Sequence, residues 1–198
     1  RQMCIRDRMI EAGQKARAAS RRMAAASTAD KNKALVRLAE LLEAKKEDIF
    51  AANEQDLVRA KKNGLKESFV DRLRVTEKVL RLMAEGARQT AALPDPVGEI
   101  SEMRRRPSGI QVGRMRVPLG VLGIIYESRP NVTVDAACLA VKSGNACILR
   151  GGSEAFETNR ILGELVQQAL TETGLPTEAV QIAPTTDRDF VGEMIRAN

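Results

Sequence analysis

Residues 117–154 read VPLGVLGIIYESRPNVTVDAACLAVKSGNACILRGGSE, and this stretch decides the fold. Val121 to Tyr126 is short and nearly all apolar, the pattern of a strand covered on both faces. It gives way to Glu127-Ser128-Arg129-Pro130-Asn131, where Ser128 is a candidate helix cap and Pro130 suits a first helical turn. The following helix places Val132, Ala136, Leu139 and Ala140 on a packing face and stops at Gly144. Ala146 to Leu149 makes a second buried strand, so the stretch predicts a βαβ unit with a right-handed crossover.

Arg150, Gly151, Gly152, Ser153 and Glu154 come next and lead into another helix. That helix carries Ile161, Leu162, Leu165, Val166, Ala169 and Leu170 on its apolar positions and ends at Gly174-Leu175-Pro176. A glycine pair at a helix N-terminus lets backbone N–H groups approach a phosphate without an intervening Cβ. The helix dipole adds partial positive charge there, and Arg150 adds a guanidinium fork suited to phosphate. These five residues are the candidate cofactor-binding set. A glycine pair between strand and helix is also a common tight turn, so the spacing alone leaves both readings open.

Upstream, the periodicity is helical from Met9 to Leu93. Ser27 and Thr28 are candidate caps for a helix with Leu35, Leu38, Leu41 and Leu42 on one face. A second run carries Ile49, Phe50, Leu57 and Val58 and stops at Asn63-Gly64. Thr76 is placed to cap a third, with Val79, Leu80, Leu82 and Met83, before Pro94-Asp95-Pro96 breaks the chain. These Leu and Met stripes are core-packing faces. Two extended runs, Ile100 to Arg106 and Ile110 to Val117, flank Pro107-Ser108-Gly109 and predict a β-hairpin, with the Arg104-Arg105-Arg106 run guarding an edge strand. The expected organisation is an extension or artefact over 1–8, a helical region over 9–97, the hairpin over 98–117 and the first part of a nucleotide-binding domain over 118–198.

Composition narrows the function. The 198 residues contain no histidine, which excludes a Ser–His or Cys–His pair within them. The three cysteines, Cys4, Cys138 and Cys147, have no CxxC spacing and read as reduced thiols, with no metal site expected. No window has the roughly 18 apolar residues of a membrane span, and no secretory signal pattern opens the chain, so a cytoplasmic protein is expected. Residues 1–118 hold 26 Lys and Arg against 16 Asp and Glu, whereas residues 119–198 hold 6 against 10. A basic helical module binding nucleic acid is therefore the alternative reading, but acids alternate with the bases and no aromatics interleave for stacking. No nucleic-acid partner is expected.

PLGVLGIIYESRPN followed by SGNACILRGGSEA resembles the gamma-glutamyl phosphate reductases of the aldehyde dehydrogenase superfamily. The Ala-rich opening, AANEQDL and the tail TTDRDFVGEMI match the same family. The resemblance implies an α/β fold, with a helical layer and hairpin leading into a partial Rossmann-like domain. It implies NADPH-dependent reduction of gamma-glutamyl phosphate to glutamate 5-semialdehyde in proline biosynthesis. The family's route forms a thioester on a cysteine thiolate, which a good leaving group permits without a histidine. By the resemblance, Arg150 faces the adenosine ribose and its phosphate. Ser153, or Glu154 one residue on, meets the ribose hydroxyls. A serine beside Arg150 accepts a 2′-phosphate, so NADP is expected over NAD. Arg129 or Asn131 falls at the oxyanion position. No catalytic nucleophile is expected within these residues: Cys138 lies on a packed helix face and Cys147 in a buried strand, and the family's GNC-type cysteine segment is expected downstream. The hairpin resembles the segment that joins subunits, so the intact enzyme is expected to be a homo-oligomer acting on a small-molecule substrate.

Overall fold

The computed structural model describes residues 4–197. Helices in the first half form where leucine and alanine spacing meets a side-chain cap. α1 (Ile5–Ala24) starts where Cys4 Sγ accepts the Asp7 N–H, and it buries Met9, Ala16, Ala19 and Met23. It begins four residues before the Met9 start expected from the pattern, and Ile5 packs against the core. Residues 1–3 of the expected extension lie outside the described residues.

α2 (Thr28–Ala44) is capped by Ser27 and buries the four leucines that the spacing selects. α3 (Lys46–Lys62) stops at Asn63-Gly64, where Gly64 takes a left-handed φ of 71°. Its buried face holds Ile49 and Leu57, but also Asn53 and Asp56, while Val58 points out. A short α4 (Glu67–Leu73) precedes α5 (Glu77–Ala92), which Thr76 caps and which buries Leu80 and Met83 but exposes Leu82. The basic excess is dispersed in exposed pairs such as Lys15–Glu11, Arg37–Glu40 and Arg88–Glu43, as a solvated charged face requires.

The Pro94-Asp95-Pro96 linker is fastened rather than loose. Asp95 accepts hydrogen bonds from Thr28 Oγ1 (2.6 Å) and the Val97 N–H (3.0 Å), and its Oδ2 lies 2.5 Å from Lys31 Nζ. The hairpin follows as β1 (Ile100–Arg105) and β2 (Gln111–Met115), paired antiparallel with an irregularity between Ser101 and Arg104. Every residue of both strands is exposed, including Ile100, Met103, Val112 and Met115. A two-stranded ribbon with neither face covered gains little from burial.

β3 (Val121–Ile125), β4 (Ala146–Arg150) and β5 (Val180–Ile182) form a parallel sheet in the order β3-β4-β5. α6 (Asn131–Lys142) and α7 (Phe156–Glu172) cross over between them, with α2, α3 and α5 packed outside that layer. α1 and α8 (Asp189–Arg196) pack together on the sheet's other side. β4 is buried throughout, as expected. β3 is not covered on both faces; it is an edge strand, with Gly123 and Ile125 exposed. The face of α6 also turns from the expected one: Val134, Ala137, Cys138 and Val141 join Ala140 in the core, and Leu139 is 58% exposed. In a helix this apolar, the neighbours rather than the spacing choose which stripe goes inward. One contiguous core joins α1, α2, α5, α6, α7 and the sheet, so the helical region and the nucleotide-type unit share their interior.

Candidate functional site

The loops that leave the carboxyl ends of β3, β4 and β5 converge, which is where open parallel sheets bind ligands. Tyr126 N donates to Arg150 O (3.1 Å) and Ala183 N to Leu149 O (2.8 Å), so the three loops are held in register. The Tyr126 hydroxyl lies 2.7 Å from Thr133 Oγ1, which donates to Asn159 Oδ1 at 2.8 Å. This buried relay ties β3 and α6 to the first turn of α7. Burial pushes the Tyr126 phenol up to about 12, so it stays protonated and able to donate.

Gly151 and Gly152 lie where space for a side chain is short. A Cβ on Gly151 would sit 2.3 Å from Asn159 Nδ2 and 2.9 Å from the Tyr126 ring, and one on Gly152 would sit 2.5 Å from Ser128 Oγ. Neither glycine has a positive φ. The expected anion cradle is also differently arranged. The amides of Glu157 and Thr158, in the first turn of α7, donate to Asp56 at 3.2 and 2.8 Å, and Thr158 Oγ1 adds a bond of 2.7 Å. Asp56 comes from α3 and is fully buried. A carboxylate already fills the place that the sequence reserves for a phosphate.

Arg150 likewise departs from its expected role. Its side chain is buried, one guanidinium nitrogen donating to Gly151 O and another to Thr186 O at 2.8 Å. It fastens the β4 loop to the β5 loop, with Nε the buried side-chain nitrogen left without a partner. Ser128 does not cap α6; its Oγ donates to Glu154 Oε2 at 2.9 Å, and α6 starts from Pro130 without a side-chain cap.

Ser153 is exposed and Glu154 half-buried on a short 3-10 turn, Ser153–Ala155, that opens into α7. Burial alone would raise the Glu154 carboxyl, but bonds from its own N–H, Ser128 and Ser153 and the Arg150 charge bring it below the usual carboxylate range. A cleft of about 240 Å³ opens beside this turn, lined also by Arg59, Asn63, Leu65 and Thr186. Its lining offers the Ser153 and Thr186 hydroxyls, the Asn63 amide, the Arg59 guanidinium and the ionised Glu154 carboxylate, groups able to hold the hydroxyls of a ribose. Arg129 is exposed on the loop after β3, and Asn131 Nδ2 donates to Asp135 Oδ2 at 3.2 Å. The structure therefore brings Ser153 and Glu154 together on the cleft and leaves Arg129 on the neighbouring loop and Asn131 at the start of α6. Asn53, Asp56 and Arg59 were missed by the sequence reading. The signal for the first two was polar residues at i and i+3 on an otherwise apolar helix face.

Cys138 and Cys147 are buried, and burial pushes both thiols up to about 12. Neither is poised as a nucleophile, whereas Cys4 is exposed. A thiol titration of the native protein near neutral pH should accordingly report Cys4 alone, with the other two appearing on denaturation. Rapid labelling of Cys147 in the folded protein would contradict its placement.

A parallel sheet with crossover helices and a cleft at the carboxyl ends of its strands gives the chain a Rossmann-like α/β architecture. The chain belongs to the aldehyde dehydrogenase family, whose profile matches residues 2–198. Among solved structures it is similar to gamma-glutamyl phosphate reductase from Thermotoga maritima, with 42% identity and a TM-score of 0.93 over 96% of this chain and 46% of that one. The gamma-glutamyl phosphate reductase from Saccharomyces cerevisiae matches with 33% identity and a TM-score of 0.83, over 90% and 46% of the two chains. An NAD-dependent benzaldehyde dehydrogenase from Corynebacterium glutamicum shares the fold at 23% identity and a TM-score of 0.73, over 98% and 39%. The chain thus spans less than half the length of these relatives.

Proposed function

We propose that this chain is the cofactor-binding part of a gamma-glutamyl phosphate reductase, which converts gamma-glutamyl phosphate to glutamate 5-semialdehyde and phosphate in the cytoplasm, within proline biosynthesis. The observation that carries the reading is the Ser153–Glu154 turn on its cleft at the carboxyl ends of the strands. The 42% likeness to a reductase along nearly the whole chain supports the substrate.

NADPH, when bound, supplies the hydride that reduces the acyl carbon. The residues of this chain bind and orient. Glu154, ionised and steadied by Ser128, accepts from ribose hydroxyls. Exposed Ser153 leaves room for a 2′-phosphate, and Arg59 on the opposite wall of the cleft supplies a compensating cation. Arg129, on the loop after β3, and Asn131, at the start of α6, are the candidate donors to an acyl oxygen that develops charge. The thiolate nucleophile belongs to the share of the reductases' length that this chain does not cover. The bare hairpin, with Ile100, Met103, Val112 and Met115 exposed, supports a homo-oligomer.

Calorimetric titration with NADPH and NADH tests the cofactor. We expect NADPH to bind more tightly by about tenfold or more, equivalent to roughly 1.4 kcal/mol. Equal affinities would reject the preference for NADP, and binding of neither would reject the cofactor reading itself.

A further inference from the structure

The turn that carries Ser153 and Glu154 has no side-chain cap of its own. What holds it comes from α3, about a hundred residues earlier in the chain. Ala155, the last residue of the turn, is buried in a small apolar cluster with Leu57 and Ala60 of α3 and Val70 and Leu73 of α4. Beside that cluster, Asp56 takes the Glu157 and Thr158 amides and the Thr158 hydroxyl. Arg59 lies 3.6 Å from both Asp56 Oδ1 and Glu157 Oε1, bridging the two helices on the cleft side. Asn53 secures α3 from the other direction. It donates to Leu73 O (2.8 Å) and Thr158 Oγ1 (3.2 Å) and accepts the Val75 N–H (2.9 Å). One wall of the cleft is α3, through Arg59, Ala60 and Asn63, and the other is the Ser153–Glu154 turn. Asp56 is thus the polar fastening between the two walls.

We propose that Asp56 is a positioning residue for the cofactor: by capping α7 from α3 it fixes the Ser153–Glu154 turn in the conformation that reads the ribose. The inference rests on the cofactor reading above and adds to it a residue outside the strand-end loops. Capping by a buried carboxylate also offsets the positive end of the α7 dipole, which leaves the charge that balances a 2′-phosphate to Arg59.

Burial pushes the Asp56 carboxyl above its usual range, in spite of bonds from Thr158 and Glu157 and the charge of Arg59. An acid whose pKa is raised by folding stabilises the protein below its unfolded pKa, and this contribution disappears as pH rises through the folded value. At neutral pH the desolvation of the ionised Asp56 therefore offsets part of what its bonds contribute, and a neutral isostere should fold with a modest loss of stability. Asp56→Asn keeps the shape and one acceptor but loses the charge and the second acceptor.

The test compares the wild-type protein with Asp56→Asn by NADPH titration, thermal unfolding and amide hydrogen exchange. We expect the NADPH dissociation constant to rise by about tenfold, the size of one lost N-terminal cap. Tm should fall by about 2–4 °C, the size of one lost cap in a domain of this length. Exchange should quicken at residues 153–158 while residues 162–170 of the same helix stay protected. An unchanged dissociation constant would overturn the proposal. A larger fall in Tm with protection lost all along α7 would also overturn it, since that is the signature of a merely structural cap. If the wild-type protein binds neither NADPH nor NADH, the cofactor reading fails. The exchange measurement, made without cofactor, still decides whether Asp56 holds the turn.

Discussion

Replacing Lys31 by alanine will lower the unfolding free energy by about 3 kcal/mol, the low end of what breaking a buried ion pair costs. Lys31 is 1% exposed and its Nζ lies 2.5 Å from Asp95 Oδ2, whose side chain keeps 13% of its surface open to water. Alanine would leave that carboxylate with only Thr28 Oγ1 and the Val97 N–H. The residual access to water is why the expected loss sits at the low end. Urea unfolding of the variant measures it, and a loss under about 1 kcal/mol, the level of an exposed pair, would show that water replaces the ammonium.

The pair also sets an acid limit. Burial by itself would raise the Asp95 carboxyl, but hydrogen bonds from Lys31, Thr28 and Val97 and the Lys31 charge bring it below its usual value. A depressed carboxyl contributes stability above its unfolded pKa, and that contribution is lost as pH falls through the folded value. Wild-type stability should therefore decline below the ordinary carboxylate range, and the Lys31→Ala variant should show a shallower decline. Identical acid profiles would remove Asp95 from the explanation.

Gly151→Val is the second large effect, and it separates two reasons for a glycine. The backbone there does not require glycine, so strain in φ is not the issue. The space is already taken by the Asn159 amide and the Tyr126 ring. Branched carbons at that point must displace the relay that joins Tyr126, Thr133 and Asn159, at an overpacking cost of about 1–3 kcal/mol. Because Gly151 leads into the Ser153–Glu154 turn, cofactor affinity should fall together with stability. A variant with wild-type Tm but weakened NADPH binding would restore the reading in which the glycine makes room for the ligand.

Much of the framework was legible locally. Ser27 and Thr76 sit at helix starts because a hydroxyl two or three residues before a free amide is a local arrangement. Gly64 and Gly144 end helices because each takes the left-handed conformation that glycine adopts cheaply. The alternation of apolar strands with a periodic helix over residues 121–149 specified the parallel pair β3 and β4, and β4 is as buried as its composition required, whereas β5 was not read. The strand-to-helix turn at Ser153 and Glu154 was legible because it is contiguous in the chain.

Other features had no local signature. Leu139 looked like a core residue because it lies on an apolar helix, yet which stripe of α6 faces inward depends on what α5 and α7 present to it. β3 looked covered, but its place at the sheet edge leaves part of it open. Arg150 reads as an anion ligand from its neighbours in sequence, and it is buried because the Gly151 and Thr186 carbonyls accept its guanidinium.

Local chemistry wrote the elements, their caps and the turn that opens α7 into the chain, since each needs only residues within a helical turn of one another. The partner of the α7 N-terminus is a matter of tertiary structure alone. Asp56 lies about a hundred residues away, and only packing α3 against α7 brings a carboxylate to amides that would otherwise await a phosphate.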